Sequence, residues 1–290
     1  MGAPVIESEE RVFIEGIPRL AWGKGADCSF VRSAQLALNA LGDTCSYAFL
    51  MGISGAAFRL HFHPDWCPSM GDATTGFDVS RVLFPSLGYR AELVSINDKS
   101  FEEIRSLCRT YFDKAEEYSL ADHAPWLSFF IMGKGTALPE EELYRNSFRI
   151  AVQQWETERF GKYLSGEHAY LTWIGDLEKA SHAAGKAGFP HHEANLTLFR
   201  VLADSRRAAR RYMEEAAAFL GLKERDAILA RYDALNGLLS HTLEETLPGF
   251  GEGLEAWTSA ILSEQARVLE EVMETERKII GILNNEWNTA

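Results

Sequence analysis

Apolar residues follow two regimes along the chain: short blocks of changing period up to about Lys134, and long stretches of helical period from Pro139 onward. In the first regime Phe30, Ala34, Ala37, Leu38 and Leu41 recur three and four apart until Gly42, which predicts a helix with Asp27 as N-cap and the glycine as its left-handed stop. A short second helix is expected over 47–51, and alternation over 56–62 reads as a strand. Gly52 and Gly55 between them suggest tight helix packing rather than a phosphate cradle, since no Lys-Ser/Thr pair follows. Residues 68–77 read as a surface loop, 79–87 as a helix ended by Gly88, and 89–96 as a strand. Ser100 and Glu103 are spaced as a capping box for a helix over 101–108, and 125–131 reads as the final strand.

From Pro139 the pattern implies four or five antiparallel helices. Glu140, Glu141 and Glu142 sit in the first turn of one, where carboxylates suit the helix dipole. Further helices are expected over 193–220, 226–247 and about 254–287. The fold class expected is therefore α+β, with an α+β region over 1–134, a Gly133-Lys134-Gly135 turn as boundary, and an all-α helical bundle over 139–290.

Composition narrows the partners. A formal net charge of −13 argues against nucleic acid or an anionic membrane surface. The basic cluster Arg206-Arg207 with Arg210-Arg211 is followed by Glu214 and Glu215 and reads as a solvated helix face. No run approaches the roughly 18 apolar residues of a membrane span. The first residues carry no apolar core of signal-peptide length, so a cytoplasmic location is expected. The 4 cysteines show no CxxC spacing, which points to free thiols rather than a disulfide framework or a zinc knuckle.

The residue with chemistry in a deliberate setting is Cys28, placed at a helix start after Gly23 and Gly25. Free N–H groups and the helix dipole there stabilise a thiolate, although Asp27 acts in the opposite sense. Cys28 is thus the candidate nucleophile, its own N–H and a group near Trp22 to Lys24 would bind an oxyanion, and His61, His63 and His123 compete as base. His61, His63, Asp65 and Cys67 alternate as metal ligands could, yet Pro64, Pro68 and Trp66 make the stretch a packed loop, and no metal or other cofactor is expected.

Asp27-Cys28 followed by the 34–42 helix resembles the opening of the papain-like cysteine peptidase and acyltransferase superfamily. The similarity is to the branch with the double-glycine leader peptidases and the N-terminal domain of the butirosin-biosynthesis acyltransferase. The chain is most similar to an uncharacterised bacterial family of that type, through Trp22-Gly23-Lys24, Leu50-Met51-Gly52-Ile53-Ser54-Gly55-Ala56-Ala57-Phe58-Arg59, Trp66-Cys67-Pro68-Ser69 and Ala169-Tyr170-Leu171-Thr172-Trp173-Ile174-Gly175-Asp176-Leu177-Glu178. The resemblance implies a reduced papain-like region, the helix bearing Cys28 packed on a small antiparallel sheet. It also implies thiol-dependent acyl transfer or amide or thioester hydrolysis. The chain departs from the family where a Gly-Pro-type turn and the histidine-bearing strand should follow 101–107, because Arg109-Thr110-Tyr111-Phe112-Asp113 comes instead and the next histidine is His123. That departure keeps open a second expectation, a non-catalytic protein holding a small molecule or peptide between sheet and bundle, with Trp22, Lys24 and Asp27 near the ligand and aromatics such as Trp126, Trp155, Tyr163 and Trp173 lining the cleft.

Overall fold

The computed structural model describes residues 5–7, 12–14, 25–95, 99–100, 102–103, 106, 120–123, 127–183, 189–249 and 251–288. Trp22, Lys24, Cys108 and Trp126 lie outside them. Within them the protein is α+β, mostly helical, with small antiparallel sheets and a helical C-terminal region. No helix among the described residues is long and apolar enough to cross a membrane.

Two short strands open the chain, β1 (Val5–Glu7) and β2 (Val12–Ile14), paired antiparallel. Helix α1 (Ser29–Ala40) follows, and here the structure corrects the expected cap: Cys28, not Asp27, is the N-cap residue, with an extended backbone. The C-terminal end is as the sequence implies, since Gly42 at φ 92° lets its N–H reach Asn39 O and the Asp43 N–H reach Leu38 O. Helix α2 (Tyr47–Ile53) is capped by the Ser46 hydroxyl, which accepts from the Phe49 N–H.

The strand expected over 56–62 is mostly absent. Ala56–Phe58 forms a tight 3-10 turn and only β3 (His61–Phe62) is extended. The reason lies in packing: Gly55 takes φ 80°, and a Cβ there would meet Ile150 Cγ2 at 2.5 Å and Gln154 Nε2 at 2.7 Å. Gly52 likewise faces the Tyr212 ring, which a Cβ would meet at 2.1 Å. Both glycines therefore serve close helix packing.

Helix α3 (Ser80–Ser86) leads through Gly88 into β4 (Tyr89–Ser95). Ser100 and Glu103 form the reciprocal bonds of a capping box, Ser100 N–H to Glu103 Oε2 at 2.7 Å and Glu103 N–H to Ser100 Oγ at 3.3 Å. The single strand expected near 125–131 is two, β5 (Leu120–His123) and β6 (Leu127–Lys134), giving the antiparallel order β4-β6-β5. β5 lies against α1.

Among the described residues of the second half, five α-helices follow: α4 (Glu140–Glu156), α5 (Gly166–Ala183), α6 (His192–Leu220), α7 (Arg225–His241) and α8 (Ser259–Asn288). Between α4 and α5 stands a hairpin the apolar pattern did not reveal, β7 (Arg159–Phe160) and β8 (Tyr163–Ser165), turned by Gly161 at φ 61°. β8 also pairs with β3, so His61 faces Ser165 across a sheet ordered β3-β8-β7. One apolar core unites α1, α2 and α3 with Leu143, Tyr144, Phe148, Tyr212 and Met213 from the bundle. A second gathers Trp173, Phe199, Leu202, Trp257 and Leu269 around Phe62 and Trp66.

The basic cluster on α6 is not a solvated face. Arg206 is buried and paired with Glu276 of α8, its Nη2 donating to Glu276 Oε2 at 2.9 Å, while Nη1 donates to the carbonyls of Ala57 and Arg59 at 3.0 Å each. Arg210 stays near the surface, paired with Asp233 and Glu214. Arg206 thereby ties the bundle to the segment that carries β3.

Candidate functional site

The start of α1 is held from below by a chain of hydrogen bonds. The Cys28 N–H donates to Tyr47 Oη at 2.9 Å, the Tyr47 hydroxyl donates to Asp204 Oδ2 at 2.6 Å, and the Asp27 N–H donates to the same oxygen at 3.0 Å. Tyr47 opens α2 and Asp204 sits mid-way along α6, so three helices converge under the thiol. Asp27 is buried there.

This setting does not make a poised thiolate. Burial pushes the Cys28 thiol up to about 12, and the nearby Asp204 carboxylate adds to the rise, against the opposing pull of the Val31 N–H and the Arg59 charge. Helix-start position alone predicts the opposite; desolvation and a facing carboxylate outweigh the dipole. Asp204 itself is raised by burial, and Tyr47 is held well above its ordinary value for the same reason.

Arg59 lies next in the site. Its Nη2 donates to the carbonyls of Asp72 at 2.5 Å and Thr75 at 3.0 Å, with Met70 O at 3.4 Å, so the 68–77 loop wraps the guanidinium. Burial lowers it to about 10. Two residues on, His61 is fully buried between Phe160, ring centroids 5.6 Å apart, and Tyr163 at 6.2 Å. Burial and then the Arg59 charge hold His61 well below its ordinary 6.5, so it is neutral; the Thr75 backbone opposes this weakly, its carbonyl being bound by Arg59. Gly76 at φ 64° makes room for the ring, since a Cβ there would stand 2.5 Å from His61 Nδ1.

His63 also meets the Tyr163 ring, edge-on with centroids 5.5 Å apart, and its Nδ1 accepts the Asp65 N–H at 3.1 Å. Cys67 Sγ and Ser69 Oγ are 2.9 Å apart, and Ser69 Oγ is 2.7 Å from Tyr163 Oη. The Ser69 hydrogen bond lowers the Cys67 thiol, so Cys67 rather than Cys28 is the thiol its surroundings favour as thiolate. Trp66, at φ 55°, is the one described non-glycine residue with positive φ; it stacks flat on His191 with centroids 5.4 Å apart and buries against Phe62. No group of three or more potential ligands among the described residues could hold a metal ion.

Cys28 and Asp27 thus share the Tyr47–Asp204 network, His61 and His63 both meet the Tyr163 ring, and the charge of Arg59 acts on Cys28 and His61 alike. The backbone of His123 ends β5, the strand beside α1; its side chain is outside the described residues. Tyr47, Arg59, Gln154 and Asp204 were missed. Each is polar within an apolar helical or strand pattern, and that was the available signal.

No protein-family model matches the chain, and no curated protein matches it.

Proposed function

We propose that the protein is a non-catalytic binding protein for a small molecule or peptide, built on a degenerate papain-like scaffold. The observation that carries this is the Tyr47 hydroxyl, which accepts the Cys28 N–H at 2.9 Å. In a thiol acyltransferase that N–H would bind the oxyanion. Here it is bound to a hydroxyl that in turn is fixed on a buried carboxylate, and the thiol beside it is raised to about 12. A protonated thiol is a poor nucleophile and a good neutral packing group.

A second reading, thiol-dependent acyl transfer or hydrolysis with Cys28 as nucleophile and His123 as base, is favoured by one observation. β5, which ends at His123, runs beside α1. Full-length protein incubated with the acetyl thioester of N-acetylcysteamine separates the two readings by intact mass and peptide mapping. The binding reading expects no acyl group on Cys28. An acyl-Cys28 adduct that forms and hydrolyses, and whose hydrolysis is lost in His123→Ala, would establish the enzyme instead.

A further inference from the structure

Three buried side chains of one neighbourhood keep polar atoms without a well-formed hydrogen bond: Arg59 Nε, the ring nitrogens of His61, which have only a loose approach to the Thr75 carbonyl, and Gln154 Oε1. Buried polar groups are nearly always satisfied, and a buried cation is ordinarily paired with a carboxylate. Arg59 has no carboxylate within ion-pair distance among the described residues. Its nearest acidic neighbours are engaged locally, Asp72 Oδ1 by Thr74 and Asp78 Oδ1 by Ser80. Gln154 donates its Nε2 to Gly55 O at 3.0 Å, which fixes Oε1 as the open acceptor.

The three belong to one neighbourhood. Arg59 and His61 are alternate residues of an extended segment, and His61 feels the Arg59 charge. His61 faces Ser165, whose hydroxyl donates to Gln154 O at 2.8 Å. Phe77 touches the Phe160 ring, centroids 5.4 Å apart, on the His61 side and approaches Gly55 on the Gln154 side. Phe77 and Phe160 are only partly buried, so solvent reaches the rim of the cluster.

We propose that Arg59, His61 and Gln154 form the binding site of a small carboxylate that carries its own O–H or N–H donor, of the 2-hydroxy or 2-amino acid kind. The inference rests on the binding reading above and names its ligand class. The carboxylate accepts from Arg59 Nε and one nitrogen of neutral His61; the ligand's hydroxyl or amine donates to Gln154 Oε1. One guanidinium, already in the field of Asp72 and Asp78, can balance at most a single added negative charge, which disfavours a phosphate dianion. The faces of Phe77, Phe160 and Tyr163 provide the apolar wall.

Isothermal titration of the full chain with L-lactate, acetate and methyl L-lactate tests this. L-Lactate is expected to bind at least about tenfold more tightly than acetate, which lacks the donor, or the methyl ester, which lacks the charge. His61→Phe, which keeps the ring volume, is expected to weaken lactate by about tenfold or more. Should that variant not fold, the His61 ring signal in the wild-type NMR spectrum serves instead and must move on lactate addition. Absence of lactate binding overturns the proposal, as does lactate binding that leaves His61 unaffected by both measurements. A different small molecule retained in native mass spectrometry would then keep the binding reading and discard the carboxylate, whereas turnover of acyl-Cys28 would discard the binding reading itself.

Discussion

Tyr47 and Asp204, 157 positions apart in sequence, meet at 2.6 Å beneath the first turn of α1, and the same tyrosine oxygen receives the Cys28 N–H. One phenol therefore links the helix carrying the thiol to the helical half of the chain. Because both its neighbours are polar groups shielded from water, its loss leaves the Cys28 N–H without this acceptor and the Asp204 carboxylate with one donor fewer, the Asp27 N–H remaining.

Tyr47→Phe is therefore expected to lower stability by about 1–3 kcal/mol in urea unfolding. Asp204→Asn should be costly alone and add little to Tyr47→Phe, since both break one network, with a coupling of about 0.5–3 kcal/mol in a double-mutant cycle. Strict additivity would show that the two residues do not act together.

The thiols should react in an order set by their surroundings. Cys67, lowered by the Ser69 hydroxyl, is expected to be alkylated first by iodoacetamide; Cys45, raised by burial, follows, and Cys28, held near 12, comes last. Site-resolved mass spectrometry against pH reads the order. Ser69→Ala should slow Cys67 selectively, and labelling of Cys28 ahead of Cys67 near neutral pH would contradict the hydrogen-bond assignment.

Acid sensitivity has a definable source in His61. Its folded pKa lies well below 6.5, so in the window beneath 6.5 the unfolded chain binds a proton that the folded chain does not. Stability from this group is fully present above 6.5 and declines as pH falls below it. Asp43, lowered by Lys134 and Tyr89, acts in the same sense but only around and below 3.8, and Asp204, raised above 3.8, acts in the opposite sense as pH rises through its window. Between 6.5 and 3.8 His61 lowers the denaturation midpoint as pH falls while Asp204 acts against it, so on acidification the midpoint should drop further, or rise less, in the wild type than in His61→Phe. An unchanged slope would mean that His61 is not held neutral.

The long elements were legible because their periods are long. Gly42, the Ser100-Glu103 capping box and the helix over 193–220 were visible as local signals, and the structure places them within a residue or two. What escaped was set by contacts distant in sequence. The alternation over 56–62 matches a strand, but Ile150, Gln154 and Tyr212 press so closely on Gly55 and Gly52 that the chain turns instead. The charge run at 206–211 looked solvated because its partner, Glu276, is 70 positions away from Arg206. Cys28 shows the same limit: its place at a helix start is local, while the burial that raises its thiol, and the smaller push of Asp204, come from elements distant in sequence.

Arg206 and Glu276 provide a sharper test of how the two halves are joined. Glu276→Gln keeps the shape but leaves the buried guanidinium uncompensated, which costs about 3–5 kcal/mol. Replacing both with apolar residues often restores a buried ion pair's stability elsewhere, but Arg206 also donates to the carbonyls of Ala57 and Arg59. Those two acceptors would be left unpaired in Arg206→Met/Glu276→Leu, so the double variant is expected to remain less stable than the wild type by about 1–3 kcal/mol per orphaned carbonyl at most. The same change should loosen the segment that presents Arg59 and His61, seen as faster amide exchange at β3 than elsewhere in the sheet it shares with β8 and β7. A double variant as stable as the wild type, with β3 equally protected, would mean that neither the carbonyl contacts of Arg206 nor its pairing with Glu276 contributes net stability.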